Sequence, residues 1–509
     1  MEKSSKKWFS LFALSLGVFM GLLDVTVVNV ALPTMQEAFN KPFTDLQWVL
    51  NAYTLVFAVV LLIVSKIGDM YGRKKIFLAS LILFIIASVV NGFAPSLLVL
   101  DIGRAIQAIG GAGMMSLSMA LVASNFEGKE RGIALGILGS VIGLSSASGP
   151  LVGGLLVDSF GWQSIFFINL PIGIIAVLMT MRYVNETPSY GKDQTIDFLG
   201  MILSAATLFS GIYGLIQKET HINWAWSNPH VAGWLLLALV FLLLFVLVEA
   251  KVENPMMNLK MFKNINFVGS VIVAFALGAG IYASSTYLTV LMQNYIGWSA
   301  FDTGVRQLAM SMWSLILGPV VGILGHKFSK KWMIVGGLVI GAGGFILLIS
   351  QISANMGYGQ LWPTLVMVGI ANGIVNPLLN SAGLEGVAPQ EMGMASGLLN
   401  VFRQFGTSFG IVILGLVEAN RYAEVFTKQT ATMQLPQELS DAFLDAGPFS
   451  GHAIAFSDQL SQAPFADKLQ VIVVQAFDQG MIRVSYVVAG TILLGALAAA
   501  LLMRKNQTV

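Results

Sequence analysis

The fold of this chain is decided by the stretch Leu23-Asp24-Val25-Thr26-Val27-Val28-Asn29-Val30-Ala31-Leu32-Pro33. It closes a run that is otherwise continuously apolar from Trp8. About 20 helical residues, at about 1.5 Å each, cross the hydrocarbon core of a bilayer, so this run predicts a membrane-spanning helix. A carboxylate inside such a helix is costly and is rarely kept without a use. We interpret Asp24 as a protonation site; the alternative is an acid near the outer end that reaches headgroup water.

The composition is that of a polytopic membrane protein. Of the 509 residues 56% are hydrophobic and only 11% are charged, with 53 glycines, which no soluble domain of this size resembles. The absence of cysteine excludes disulfides, thiol chemistry and iron–sulfur clusters. Lys3, Lys6 and Lys7 precede the first apolar run, and no small-residue cleavage site follows it, so we expect an uncleaved first span.

The hydropathy pattern predicts fourteen membrane-spanning helices, because barrel strands would instead appear as alternating segments of about ten residues. The predicted spans are residues 8–32, 45–66, 76–95, 97–124, 132–157, 165–183, 197–217, 231–249, 266–293, 303–326, 332–352, 362–387, 392–418 and 478–503. The predicted fold class is all-α.

The distribution of Lys and Arg predicts the orientation. If both termini are cytoplasmic, 19 of the 28 basic residues fall in cytoplasmic segments, 5 in outer segments and 4 within spans. Cytoplasmic loops carry such an excess of positive charge. We therefore expect a multi-pass protein of the cell (plasma) membrane with cytoplasmic N- and C-termini.

A weak internal repeat indicates two pseudo-symmetric halves. Gly68-Asp69-Met70-Tyr71-Gly72-Arg73-Lys74-Lys75 follows the second span, and Gly325-His326-Lys327-Phe328-Ser329-Lys330-Lys331 follows the tenth. If these correspond, residues 1–183 form an N-terminal six-helix bundle, 184–264 contain two additional spans with linkers, and 265–509 form a C-terminal six-helix bundle. Many secondary transporters consist of two such halves with a binding site between them.

A long polar segment, residues 419–477, falls on the outer side. Within it, Leu435 to Gly447 has proline early and glycine last, which predicts a short helix. This segment either covers the outer mouth of the protein or is a passive tether.

Arg104 is the expected partner of Asp24. It lies in the fourth span about 10 Å from the outer surface, and Asp24 lies about 12 Å from the same surface at helical rise. The two charges can therefore meet. Burial favours the neutral acid and a neighbouring guanidinium favours the carboxylate, so an acid between these influences can bind and release a proton. The alternative is a permanent structural ion pair between helices.

Two further segments predict conformational gating. The fifth span contains seven glycines, among them Gly149 and Gly153, and Pro150 follows Gly149. This pattern indicates either a tight seam between the halves or ordinary close packing. In the loop after the second span, Arg73 fits a positive cytoplasmic loop but Asp69 does not. We expect Asp69 to hold span ends together by facing a helix N-terminus or Arg131.

These segments resemble motifs of the major facilitator superfamily. The Asp24 stretch, the Asp69 loop, Arg104-Ala105-Ile106-Gln107 and Gly143-x5-Gly149-Pro150-x2-Gly153-Gly154 resemble four of them; Gly161 to Pro171 and Gly397-x2-Asn400-x2-Arg403-Gln404-x-Gly406 fit the same family. With fourteen spans, the combination is similar to the drug:proton antiporter branch that includes quaternary-ammonium and multidrug exporters. The resemblance covers nearly the whole chain, with departures at Ser65, Ala108 and Gln163. It implies a proton-coupled exporter that alternates between inward-open and outward-open states, with the first-span acid and the fourth-span arginine in proton coupling.

The candidate substrate-binding residues are aromatic, amide and methionine side chains within spans. Such side chains suit lipophilic or cationic ligands through stacking, cation–π contact and soft packing. The candidates are Asn29, Trp48, Asn51, Tyr53, Gln107, Met115, Met119, Tyr282, Tyr287, Met292, Trp313, Asn376, Asn380 and Gln404. A single deep carboxylate favours neutral or monocationic compounds over dications.

Other function classes have little support in the sequence. Gly406-Thr407-Ser408-Phe409-Gly410 matches a nucleophile-elbow pattern but lies within a predicted span, and all four histidines lie in loops or at span ends, so we expect no enzyme. No phosphate-binding loop, metal site, cofactor site or nucleic-acid patch is predicted. The alternatives are a dedicated metabolite or lipid-like exporter, or a uniporter, of the same fold. The expected partners are protons, lipid and small-molecule substrates, and the expected functional unit is a monomer.

Overall fold

The computed structural model describes residues 2–41, 43–189, 196–221, 223–325, 327–353, 356–431, 437–456 and 465–504, and within these it contains helices and no strand. The first nine helices are α1 (Glu2–Phe39), α2 (Phe43–Tyr71), α3 (Arg73–Gly92), α4 (Leu97–Asn125), α5 (Gly128–Phe160), α6 (Ser164–Phe167), α7 (Asn169–Tyr183), α8 (Phe198–Thr220) and α9 (Pro229–Glu249). The remaining helices are α10 (Ile265–Leu277), α11 (Ala283–Val290), α12 (Ala300–Leu324), α13 (Lys330–Ile349), α14 (Tyr358–Gly383), α15 (Met392–Thr430), α16 (Gln437–Ala455) and α17 (Ala466–Leu502). Gly191, Lys192, His326, Leu435 and Pro436 lie outside the described residues, as does the side chain of Pro150.

The all-α, polytopic prediction is confirmed. Thirteen helical segments in the described part of the chain are long and apolar enough to cross a membrane. The predicted span at 132–157 lies in α5, whose 33 residues are also long enough. The sixth span is broken into α6 and α7, and the ninth contains π-helical turns at Gly278–Tyr282 and Leu291–Tyr295.

The helices pack in two sets. Helices α1 to α7 pack among themselves, as do α10 to α17, and the hairpin of α8 and α9 lies against α2 and α15. Between the sets the broadest contact is that of α5 with α12, and α15 also packs on α2 and α4.

Glycines bring α5 into close contact with its neighbours. A Cβ on Gly136 would collide with the carbonyl oxygen of Gly318 on α12, and a Cβ on Gly149 would collide with Thr26 on α1. A Cβ on Gly153 would lie 3.2 Å from Val27 Cγ1. The first contact lies between the two sets of helices, whereas the other two lie within the first set, so α5 forms both the seam and ordinary close packing.

Much of the predicted outer segment is helical. Helix α15 continues to Thr430, so Glu418, which the sequence placed at the end of a span, lies inside the helix and is fully buried. Helix α16 changes direction at Gly447, whose φ is +72°. Its Phe443 packs with Tyr422 and Phe426 of α15, so this part of the segment packs on α15 and α17.

Candidate proton and substrate site

Asp24 and Arg104 form an ion pair inside the first set of helices. Their residues are 2% and 0% exposed, and Arg104 Nη1 donates a hydrogen bond to Asp24 Oδ2. Arg104 Nε donates to the carbonyl oxygen of Val49 at 3.1 Å. The contact predicted from helix depth is therefore present, and it joins α1 to α4 while anchoring the guanidinium on α2.

Two amides complete the surroundings of the Asp24 carboxylate. Its Oδ1 accepts hydrogen bonds from Gln107 Nε2 at 2.9 Å and from Asn169 Nδ2 at 3.0 Å. Both amides also donate to Ser88 Oγ, at 2.8 and 3.2 Å, and Asn91 Nδ2 donates to Gln107 Oε1 at 2.9 Å. Both carboxylate oxygens are therefore hydrogen-bonded, which offsets the cost of burying this polar group.

The sequence reasoning missed Ser88, Asn91 and Asn169. Each is a fully buried polar residue within an apolar span, which is itself a signal of function or of a polar network. Asn169 also lies inside the Gly161 to Pro171 segment that resembled a family motif. Gln107 was a candidate for substrate binding, and the structure places it on Asp24 instead of on the cavity.

Tyr53 contacts both the ion pair and an apolar cavity. Its ring lies over the Arg104 guanidinium, with 4.3 Å between the ring centroid and Cζ. The same side chain lines a cavity of about 80 Å³ between α1, α2, α4 and α15. The other lining residues are Gly17, Val18, Gly21, Leu22, Val25, Thr54, Phe57, Gly111, Met114, Met115 and Gln404. The lining suits the apolar part of a ligand, but the volume is smaller than the roughly 300 Å³ of a typical ligand site, so a drug-sized ligand requires the cavity to widen.

Three of the predicted substrate-binding residues, Tyr53, Met115 and Gln404, line this cavity. Trp48 and Trp313 are each 38% exposed, and Trp48 packs with Tyr213 of α8. The remaining candidates lie elsewhere. Asn29 is exposed and Asn51 partly buried. Tyr287 donates to the Ile411 carbonyl, and Met292 and Asn380 are buried. Tyr282 and Asn376 belong to a polar cluster around Arg403, and Met119 contacts Asn400 of that cluster.

Asp69 connects the two sets of helices at the end of the bundle that carries Arg73 and Lys74, named here the basic end. Its Oδ1 and Oδ2 accept hydrogen bonds from the backbone N–H groups of Gly393 and Met394 at 3.1 and 3.0 Å. Arg73 Nε donates to Asp69 at 2.7 Å, and Arg73 Nη2 donates to the Pro389 carbonyl oxygen at 2.6 Å. Of the two expected partners, the structure has the helix N-terminus and not Arg131.

Two further contacts join α15 to α4 and to α2 next to the basic end. Ser396 Oγ donates to the Ser116 carbonyl oxygen at 2.9 Å. Gly397 lies so close to Ser65 that a Cβ on the glycine would collide with its hydroxyl. The structure accommodates Ser65, one of the departures from the family pattern, because its partner on α15 is a glycine. In this conformation α2 and α4 are closed against α15 at the basic end.

The linker between α9 and α10 crosses the same end. Lys66 Nζ of α2 donates to the Pro255 carbonyl oxygen at 2.8 Å, and Asn258 Nδ2 donates to Glu391 Oε1 at 2.6 Å. The linker is therefore hydrogen-bonded both to α2 and to the turn before α15. Through this linker, the hairpin of α8 and α9 is connected to both α2 and α15 at the closed contact.

Together, the bundle of membrane-length helices, the buried ion pair and the apolar cavity define a multi-pass membrane carrier. Residues 14–411 match the model of the Major Facilitator Superfamily, and the chain belongs to this family. It is 30% identical to the tetracenomycin C resistance and export protein of Streptomyces glaucescens, over 99% of this chain and 92% of that protein. It is also 30% identical to the multidrug transporter protein MdtP of Bacillus subtilis, over 92% and 88% of the two chains.

Solved structures agree on the fold. The human organic anion transporter MFSD10 (TETRAN) superposes with a TM-score of 0.62 at 14% identity, covering 97% of this chain and 99% of that one. The proton:xylose symporter XylE gives a TM-score of 0.62 at 13% identity, covering 99% and 97%. The family resemblance noted in the sequence is confirmed, and the curated relatives are named exporters and resistance proteins, as the drug:proton antiporter branch predicts.

Proposed function

We propose that this protein exports lipophilic or cationic small molecules in exchange for protons. The observation that carries the proposal is the position of Tyr53, whose ring lies over the Arg104 guanidinium and whose side chain also lines the apolar cavity. The names of the relatives, a tetracenomycin C export protein and a multidrug transporter, support the same direction.

Proton coupling works through the charge of Asp24. When the carboxyl is ionised, it neutralises Arg104 and both residues remain buried as a pair. When a proton binds Asp24, the guanidinium loses its counter-ion, and an uncompensated buried charge is unfavourable. Protonation therefore favours a rearrangement of α1 and α4, the two helices that carry the pair and line the cavity. Proton binding and cavity shape change together.

Alternating access arises from rocking of residues 1–183 against residues 265–509. The α5–α12 seam acts as the pivot, because its glycine contacts leave the backbones against each other, while α2 separates from α15. Opening of the basic end breaks the contacts of Asp69 and Arg73 with the start of α15. We place this end, and both termini, in the cytoplasm of a plasma-membrane monomer, since the positive charges lie there.

The energetics suffice for export. A gradient of one pH unit supplies about 1.4 kcal/mol per proton, and one charge crossing 100 mV gains about 2.3 kcal/mol. Exchange of one proton for one monocation uses only the pH difference, whereas export of a neutral compound draws on both. A uniporter would use neither.

The test is transport of cationic, neutral and anionic fluorescent dyes by everted vesicles with the protein. We expect a pH gradient to drive dye uptake in the wild type and not in Asp24→Asn. Asp302→Asn is the matched control, because Asp302 is an exposed acid at the start of α12. Retained pH-driven uptake in Asp24→Asn would remove Asp24 from the mechanism. Dye movement without any proton movement would favour the uniporter.

A further inference from the structure

The second set of helices contains a buried arginine that has no acid beside it. Arg403 of α15 is 8% exposed, and no carboxylate in the described part of the chain lies within ion-pair distance of its guanidinium. Arg104, in contrast, has Asp24. A buried charge without a counter-ion is strongly unfavourable, so the Arg403 site is suited to receive a negative charge.

The groups around Arg403 are amides and one phenol. Arg403 Nη1 donates to Asn376 Oδ1 at 3.3 Å and Nη2 donates to Asn400 Oδ1. Asn376 Nδ2 in turn donates to Asn372 Oδ1 and, at 2.9 Å, to the hydroxyl of Tyr282, which belongs to the π-helical turn Gly278–Tyr282. We name these five residues the Arg403 cluster.

The amide oxygens of the Arg403 cluster are already engaged. Those of Asn372, Asn376 and Asn400 each accept a hydrogen bond from another member. A guanidinium carries five N–H donors. Arg403 uses two of them in its hydrogen bonds to Asn376 and Asn400. The cluster is therefore positively charged and rich in donors, and its complementary ligand is an anion or a strong acceptor.

One member of the Arg403 cluster, Asn400, lies one helical turn from the cavity. Gln404 and Met115 line the cavity, and the residues one helical turn further toward the basic end are Asn400 and Met119. These two are in contact across the two sets of helices, with 3.9 Å between Asn400 Nδ2 and Met119 Sδ. Residues four apart on a helix are neighbours on one face, about 6 Å apart. When the cavity widens and Asn400 separates from Met119, a ligand bound in the cavity can place one polar group at the cluster.

We propose that the Arg403 cluster binds an anionic or strongly hydrogen-bond-accepting group of the exported molecule, such as a carboxylate, phenolate or enolate. The substrates are then amphiphiles with an apolar body in the cavity and an acidic or acceptor-rich end at Arg403. This inference rests on the proposed export function and, among the lipophilic or cationic substrates of that proposal, favours lipophilic acids and neutral acceptors over cations.

The test is equilibrium binding of two xanthene dyes, anionic fluorescein and cationic rhodamine 6G, to the purified full-length protein in detergent. We expect the wild type to bind fluorescein more tightly. Arg403→Gln should weaken fluorescein binding by about tenfold or more, the fold-change for loss of a charge-assisted hydrogen bond, and should leave rhodamine 6G binding equal or tighter.

Asn372→Asp provides a second, nearly isosteric test. It places a carboxylate in the cluster without changing its shape, and we expect the same change in dye preference. The control is Arg306→Gln, which removes a positive charge from a site outside the cluster, where Arg306 stacks on Trp298 at 4.3 Å. Its dye preference should match that of the wild type.

The proposal is overturned if folded Arg403→Gln and Asn372→Asp bind both dyes as the wild type does, or if the wild type prefers rhodamine 6G. Binding in detergent requires no proton gradient. Failure of this inference is therefore distinguishable from failure of proton coupling, which would appear as pH-driven uptake by Asp24→Asn.

Discussion

The carboxylate of Asp69 in α2 receives the backbone N–H of Gly393, 324 positions later in the chain, at the first turn of α15. The first N–H groups of a helix have no partner within the helix, and its dipole favours a negative charge there. Asp69 therefore serves as a cap supplied by another helix. The two sets of helices are joined at the basic end by a contact that depends on one acid.

Asp69→Asn is expected to loosen the basic end. An amide offers one acceptor oxygen in place of two and no charge, so one of the two backbone bonds and the attraction to Arg73 are lost. Because the chain has no cysteine, Ser396→Cys provides a unique thiol at the closed contact. We expect maleimide labelling of Ser396→Cys in vesicles to accelerate in the Asp69→Asn background and not with Asp302→Asn. Equal labelling rates would show that Asp69 does not maintain the closed state.

Asn169→Ala is expected to impair proton-driven transport while sparing ligand binding. Asn169 donates one of the hydrogen bonds to the Asp24 carboxylate and lies in α7. Loss of a hydrogen bond to a charged group changes an equilibrium or rate constant that depends on it by about tenfold or more. We expect initial rates of pH-driven dye uptake to fall by about this factor, with the dye affinity in detergent unchanged. A parallel loss of affinity would indicate a general structural defect.

Gly136→Ala is expected to disrupt the α5–α12 seam. The added Cβ would collide with the backbone of Gly318, which cannot move without displacing α12. We expect a lower melting temperature in detergent and loss of transport. Gly336→Ala in α13 is the matched control: a Cβ there meets open space, and alanine stabilises a helix by up to about 1 kcal/mol relative to glycine. Wild-type behaviour of Gly136→Ala would mean that the seam tolerates separation of its backbones.

Glu418→Gln is expected to stabilise the protein. Glu418 is fully buried, and neither carboxylate oxygen has a hydrogen-bond partner among the described residues. An unpaired buried polar group costs about 1–3 kcal/mol, and more when it is charged, whereas a neutral amide cannot ionise. We expect a higher melting temperature in detergent for Glu418→Gln and no change for Glu424→Gln, whose side chain is 65% exposed. A lower melting temperature for Glu418→Gln would show that the acid makes a stabilising contact.

The sequence was sufficient for features that depend on a single helix. Apolar run length predicts the spans, and helical rise places Asp24 and Arg104 at one depth, where they meet. It was insufficient where several helices contribute to one contact. Asn169 reaches Asp24 because α7 packs on α1, and Gln107 turns toward the acid instead of the cavity. Neither side-chain direction can be derived from hydropathy, since most residues of α4 are buried, whichever way they point.

The same limit applies to the second set of helices. Arg403 was recognised only as part of a motif. Its hydrogen-bonded surroundings come from α14 and α15 and from Tyr282, which lies in a π-helical turn that no local sequence pattern indicated. Trp48 and Trp313 were chosen for their chemistry, but their helices turn them to the exposed surface.

Tyr53 is the one residue of the described cavity lining whose ring also lies over the Arg104 guanidinium. The other lining residues are mainly aliphatic, aromatic, methionine and glycine, and such surfaces accept many ligand shapes. Ligand breadth and ion chemistry can therefore change independently over evolution. Substitutions in the apolar lining can widen the range of ligands without altering the Asp24–Arg104 pair.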